Sequence, residues 1–160
     1  LALVALGLVL LQIVLGGWGS ANYASASCPG LVRCEGDMLA AGKMADAFNP
    51  LRSITLDEGG KAVRTDSLGL ISMAHRSFAL ITAAYLAWLV RRLKLSLLAR
   101  NLLPLSLFSI SQIVVGVASI WFDMPLLLVT LHNALAAGLL LSSVNLLHRL
   151  TPATASPPPG

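Results

Sequence analysis

Two histidines lie within apolar stretches of the sequence, where an imidazole needs a polar partner. His75 stands in "SMAHRSFALI" and His132 in "TLHNALAAGLLL". A single histidine in such a setting commonly forms a hydrogen bond across a helix interface, and this interpretation stays open for each residue alone. Imidazole is also the commonest metal ligand in proteins. Two histidines at matched depth could therefore ligate one metal centre from opposite sides.

The segments that carry these histidines are apolar enough to cross a membrane. Of the 160 residues, 56% are hydrophobic and 11% are charged, whereas soluble domains contain about 25% charged residues. Because about 20 apolar residues cross the hydrocarbon layer, we predict an all-α membrane protein, a bundle of four transmembrane helices. The helices are predicted at 1–19, 67–90, 101–122 and 126–148, within a domain over 1–150. An outer loop covers 20–66, and the Pro-rich tail 151–160 is predicted to be disordered.

The basic residues predict the orientation of the bundle. They cluster after the second and fourth helices, as Arg91, Arg92, Lys94 and Arg100, and as His148 and Arg149. The positive-inside rule places both clusters, and hence both termini, on the cytoplasmic side, with the long loop outside. The net charge of +4 could suggest nucleic acid. However, no basic helix interleaved with aromatic residues is present, so we expect lipid as the surroundings and no nucleic-acid partner.

A short pattern occurs twice and predicts that the bundle is a duplicated helix pair. "LQIVLGG" at 11–17 matches "SQIVVGV" at 111–117, and "HRSFA" at 75–79 matches "HNALA" at 132–136. The order is Gln-Ile-Val-x-Gly followed by His-x-x-x-Ala in both halves. Repeats related by an axis along the membrane normal are one recognised arrangement in membrane proteins.

The repeat makes His75 and His132 equivalent, each about 10–12 Å inside the outer end of its helix at 1.5 Å per residue. Ala79 and Ala136 lie one turn inward on the same helix faces and leave room for a flat group. Two opposed imidazoles suit the axial positions of a haem iron. Zinc would need further ligands, and the sequence offers no other His, Cys or acid at that depth.

Arg76 lies too deep in its predicted helix to be a casual surface charge. A buried charge needs pairing, and no carboxylate lies within the predicted spans. A haem propionate, which Arg can bind with two hydrogen bonds, is the expected partner. The alternatives are that Arg76 reaches the outer membrane interface or pairs with an acid of the outer loop such as Asp66.

Cys28 and Cys34 lie in the outer loop, on the oxidising side of the membrane. The segment "CPGLVRC" is spaced to close a short loop, and a structural disulfide is the first interpretation. An exchangeable redox pair is the second, and a metal-binding pair is the third. His148 lies at a helix C-terminus, where a cation complements the helix dipole, and we assign it no ligand role.

The quoted motifs together resemble the C-terminal half of bacterial haem A synthase. The similarity covers "LQIVLGGWGSANYASASCPGLVRC", "SMAHRSFALI" and "TLHNALAAGLLL". It implies a multi-pass protein of the bacterial inner membrane with eight helices in two similar halves. In this half it implies a haem b between His75 and His132, loop cysteines at Cys28 and Cys34, and relay of electrons to an unknown acceptor. The family oxidises the C8 methyl of haem O to a formyl group, making haem A for terminal oxidases.

The resemblance also implies a second half, with the haem O site and a catalytic acid, outside these residues. The sequence begins at Leu1 within an apolar run, and we expect the N-terminal half of the enzyme as a partner. Glu35 is the one acid considered as a substitute, although a solvated loop charge is its first interpretation. We therefore leave the catalytic residues unassigned and expect the chain alone to make no haem A. The alternatives are a stand-alone four-helix bis-histidine cytochrome b and a membrane thiol oxidoreductase, which would need a closer cysteine pair.

Overall fold

Helices account for all regular secondary structure that is described, as the sequence predicts. The structure is a computed structural model that describes residues 1–28, 30–32, 34, 42–53, 55, 57–60, 63, 65–93 and 99–151. Its helices are α1 (Ala2–Ala21), α2 (Lys43–Ala47), α3 (Asp66–Leu93), α4 (Ala99–Trp121) and α5 (Leu126–Leu150), with a 3₁₀ helix at Ala24–Ser27. The predicted disorder of the tail concerns residues that, apart from Thr151, lie outside this description.

Four of the described helices, α1, α3, α4 and α5, are long and apolar enough to cross a membrane. Their ends lie within three residues of the ranges predicted from the sequence. Buried serines in these helices direct their hydroxyls to the carbonyl four residues earlier, as Ser119 does to Val115 and Ser143 to Leu139. Such bonds satisfy a hydroxyl inside an apolar helix without a partner from another segment.

The four long helices form a ring in which each contacts two neighbours. α1 packs on α3 and α4 packs on α5, and these two pairs meet through α1 with α5 and α3 with α4. The helices that carry His75 and His132, α3 and α5, therefore lie diagonally across the bundle. Side chains on facing helices of a bundle commonly build cofactor sites in its interior.

The hydrophobic core is concentrated at the two ends of the bundle. Its main cluster comprises Ala2, Ala5, Val9, Leu86, Leu89, Leu102, Leu105, Leu139 and Leu146. A smaller cluster at the opposite end contains Ala24, Ala47, Leu68 and Ile71. The described helices bury no hydrophobic side chain at 10–21, 72–85 or 106–138. Both histidines lie in this middle level, between the clusters.

The first turns after α1 and α4 are the same, and this supports the predicted duplication. α1 ends at Ala21 and α4 ends at Trp121, 100 positions later. Two residues after these ends, Tyr23 and Asp123 have positive φ values of 53° and 57°. The backbone N–H of Tyr23 donates to the Ser20 carbonyl at 3.1 Å, and that of Asp123 donates to the Ile120 carbonyl at 3.3 Å. The connections to the next helix diverge beyond this turn.

The chain between α1 and α3 is held against the helix ends by residues of the "GGWGSAN" segment. The Trp18 indole N–H donates to the carbonyl of Ala47 in α2 at 2.9 Å. The buried Asn22 side chain donates to the Trp18 carbonyl at 2.9 Å and so caps α1. The Trp18 bond thus joins the end of α1 to α2.

Candidate functional site

The first half of the site joins Gln12 of α1 to His75 of α3. The Gln12 carboxamide nitrogen lies 3.1 Å from Nδ1 and 3.4 Å from Nε2 of the His75 ring. The same nitrogen donates to the main-chain carbonyl of His75 at 3.2 Å. Gln12 thus contacts both the imidazole and the backbone of His75. Its own Oε1 is buried and has no hydrogen-bond partner among the described residues.

The second half of the site joins Gln112 of α4 to His132 of α5. The Gln112 carboxamide donates to the main-chain carbonyl of His132 at 2.7 Å. The His132 ring nitrogen Nδ1 is buried and, within the described part of the chain, has no hydrogen-bond partner. The repeat-related glutamines therefore share the backbone contact, but only Gln12 reaches the ring.

A glycine one turn after each glutamine gives the imidazole its space. A Cβ added to Gly16 would lie 2.9 Å from Cε1 of His75, and one added to Gly116 would lie 3.1 Å from Cε1 of His132. Residues i and i+4 share a helix face, so each glutamine and its glycine form one surface for one histidine. In both halves the Gln-x-x-x-Gly spacing builds this surface.

The two imidazoles lie in the middle level of the bundle, between the two hydrophobic clusters. Their helices, α3 and α5, are diagonal to one another. At 1.5 Å per residue, His75 lies about 14 Å and His132 about 9 Å from the N-terminal end of its helix. Among the described residues, no three His, Cys, Asp or Glu side chains form a group that could hold a metal ion.

Arg76 binds the loop between α1 and α3. Its guanidinium donates to the carbonyl of Cys28 at 3.1 Å, to that of Leu31 at 3.2 Å and to that of Gly30. The alternative partner Asp66 instead forms an ion pair with Lys43 at 3.3 Å. The expected contact of Arg76 with a propionate stays a prediction.

Cys28 and Cys34 form the predicted disulfide, which closes the segment that Arg76 binds. Arg76 follows His75 directly in α3, so this loop is attached beside the histidine. Glu35, which was considered as a substitute acid, lies outside the described residues.

The sequence analysis assigns no contact to the two glutamines, which the structure places against the histidines. Gln12 and Gln112 belong to the repeated motif, but that reasoning assigned no role to either side chain. The available signal was the polar carboxamide at the same place in two apolar helices, since a buried amide needs a partner.

The fold and the site define an all-helical, multi-pass membrane protein in which two repeat-related histidines face the interior. The chain belongs to the COX15-CtaA family of cytochrome oxidase assembly proteins, whose family model matches residues 1–144. It is 38% identical over 148 residues to a protein described as "Heme A synthase" from Shewanella oneidensis strain MR-1. This match covers 91% of the chain but 44% of that relative, so the chain spans less than half the relative's length. No solved structure matches the chain.

Proposed function

We propose that this chain forms the haem b-binding C-terminal half of a haem A synthase, with His75 and His132 as the axial ligands. The whole enzyme would oxidise the C8 methyl of haem O to a formyl group for terminal oxidases. The proposal is carried by one observation, the repeated arrangement in which a glutamine and a glycine of one helix hold a histidine of the next. Membership of the cytochrome oxidase assembly family and the haem A synthase relative support the same role.

The residues present fit a haem. Nδ1 of His132 is buried without a partner among the described residues, which costs free energy unless another group completes the site. In the described part of the chain, the level of the bundle that contains both histidines buries no hydrophobic side chain. Haem b bound there would supply a one-electron redox centre for relaying electrons.

The other residues of the site have supporting roles in this proposal. Arg76 would neutralise a propionate, since its guanidinium has five N–H donors and the three loop carbonyls leave some of them available. Gly16 and Gly116 would keep space for the two rings. The Cys28–Cys34 disulfide would hold the loop over the outer edge of the site.

The proposed location is the bacterial inner membrane, with the long loop on the periplasmic side and both termini in the cytoplasm. Basic residues in the last turns of α3 and α5, Arg91, Arg92, His148 and Arg149, support this orientation. They lie at the end of the bundle opposite the disulfide loop. The proposed partners are the N-terminal half of the enzyme, the substrate haem O, membrane lipid and an electron acceptor.

A two-part experiment tests the proposed function. The purified chain should show the visible spectrum of a low-spin haem b, which a thiol oxidoreductase would lack. With haem O supplied, the chain alone should make no haem A, and adding the N-terminal half should restore its formation, detected by chromatography. Haem A made by the 160 residues alone would contradict the division of roles, and a chain that binds no haem would contradict the whole proposal.

A further inference from the structure

The two halves of the site differ in the contact between glutamine and imidazole. Gln12 Nε2 lies within 3.4 Å of both ring nitrogens of His75 and also donates to the His75 carbonyl. Gln112 donates to the carbonyl of His132 at 2.7 Å, and His132 Nδ1 has no partner in the described residues. The same motif thus constrains one ring through a hydrogen bond and the other only through packing.

We propose that Gln12 is a positioning residue for the His75 imidazole, whereas Gln112 positions only the main chain of its helix. Gln12 Nε2 can only donate, so the ring nitrogen that it contacts in this structure accepts. A ligating histidine donates its second ring N–H to an outer acceptor, and this bond fixes the ring orientation and changes its basicity. The Gln12 Oε1, which is buried without a partner among the described residues, is the oxygen available for that bond. A bond to the carbonyl sets the depth of one helix against another but leaves the ring free to rotate about its side-chain torsions. His75 is therefore the pre-oriented ligand and His132 the adaptable one. This inference rests on the proposed function for its consequence in haem binding, but the ring contact itself can be tested without haem.

The packing against glycine agrees with this difference. Gly16 lies closer to the ring of His75 than Gly116 does to that of His132, with hypothetical Cβ distances of 2.9 and 3.1 Å to Cε1. The Gln12 carboxamide approaches the same ring at Nδ1. His75 is thus held between two groups of α1, one polar and one apolar, on a single helix face.

The haem-free test measures the acylation of each histidine by diethyl pyrocarbonate in the full chain purified in detergent. Mass spectrometry gives the rate for His75 and His132, with the exposed His148 as an internal reference. Gln12→Leu should raise the rate of His75 severalfold and leave that of His132 unchanged. Gln112→Leu, the matched control, should leave the rate of His132 unchanged because Gln112 does not bind the ring.

A conservative variant separates this role from a loss of folding. Gln12→Glu keeps an oxygen that can accept from a ring N–H but loses the donation to the His75 carbonyl, so His75 should react more slowly than in Gln12→Leu. An unfolded protein would instead expose His75 and His132 together. Unchanged reactivity of His75 in Gln12→Leu would overturn the proposal. The proposal would also be overturned if Gln12→Leu raised the acylation rate of His75 by the same factor as Gln112→Leu raised that of His132.

The second measurement is haem b titration of the same variants. Gln12→Leu should weaken binding about tenfold, the lower end of the usual effect of removing an outer hydrogen bond from a ligand. Gln112→Leu should weaken it less. The assignment of Gln12 as a positioning residue would be overturned if the two leucine variants lost haem affinity equally, or if Gln12→Leu lost none. If the parent chain binds no haem, the proposed function fails, while the acylation rates still decide whether Gln12 positions His75.

Discussion

The first helix pair, α1 with α3, and the second, α4 with α5, share the supports of their histidines and differ where the two helices of each pair are connected. Each pair has a glutamine on a histidine carbonyl and a glycine under the imidazole. Beyond the shared turn, the first pair is connected through residues 22–65 and the second through 122–125. Insertions in surface loops cost little conformational entropy, whereas a change within the bundle would disturb close packing. The two pairs therefore share the histidine supports and differ in the connections between their helices.

The residue that follows each histidine also differs between the two helix pairs. Arg76 follows His75, and its guanidinium donates to three carbonyls of the disulfide loop. The corresponding residue in the second pair is Asn133, which is exposed. Only the pair with the long loop has an arginine at this position. Binding the loop is therefore one role of Arg76, whatever else it contacts.

The largest expected effect comes from removing either histidine. His75→Ala and His132→Ala should each abolish the low-spin haem spectrum, because each removes one of two axial ligands. Visible spectroscopy of the purified variants measures this loss, and His148→Ala serves as the control. If both single variants keep the parent spectrum, the ligand assignment is wrong.

Adding a methyl group at Gly16 or Gly116 should destabilise both helix pairs, but to different extents. Gly16→Ala and Gly116→Ala force the neighbouring imidazole to move, and such overpacking typically costs about 1–3 kcal/mol. Gly16→Ala should have the larger effect because its Cβ would be closer to the ring. Denaturant unfolding and haem titration measure the change. Gly17→Ala is a matched control, since its Cβ would meet nothing within 4 Å, and an equal loss there would refute the explanation.

The disulfide lies in the connection between the two helices of the first pair, so its removal should destabilise that pair and leave the second pair unaffected. Mass spectrometry without reductant should find Cys28 and Cys34 linked in protein exported to its native membrane. Replacing both with Ser should lower the free energy of unfolding by about 2 kcal/mol, since a short loop is no longer closed in the unfolded chain. Two freely alkylated thiols in the parent protein would contradict the structural role.

Removing the arginine should loosen the same loop. Arg76→Ala deletes hydrogen bonds from a charged donor, and we expect a loss of about 1–2 kcal/mol because the site is only partly buried. Limited proteolysis should cut near residues 28–34 faster than in the parent protein. Asn133→Ala should change neither quantity. If Arg76→Ala and Asn133→Ala changed stability and proteolysis equally, the two helix pairs would not differ in the role of the residue that follows the histidine.

The smallest expected effect concerns the ion pair of Lys43 with Asp66, which fixes α2 to the start of α3. Both side chains are about one-third exposed, at 38% and 32%. Such pairs contribute about 0.2–1 kcal/mol. Lys43→Ala should therefore lower stability by less than about 1 kcal/mol, and the difference should shrink in high salt. A larger loss would mean that α2 supports the bundle more than its contacts suggest.

The sequence by itself determined the number and ranges of the long helices, the duplicated motif and the cysteine pair. These features rest on local patterns, namely apolar length, repeated spacing and the short segment between Cys28 and Cys34. Only the tertiary structure decided which groups the polar side chains meet. The carbonyls that Arg76 binds and the His75 ring and carbonyl that Gln12 contacts belong to other segments of the chain. A main-chain carbonyl has no sequence signature because every residue carries one, so folding alone selects the ones that a buried arginine or glutamine reaches.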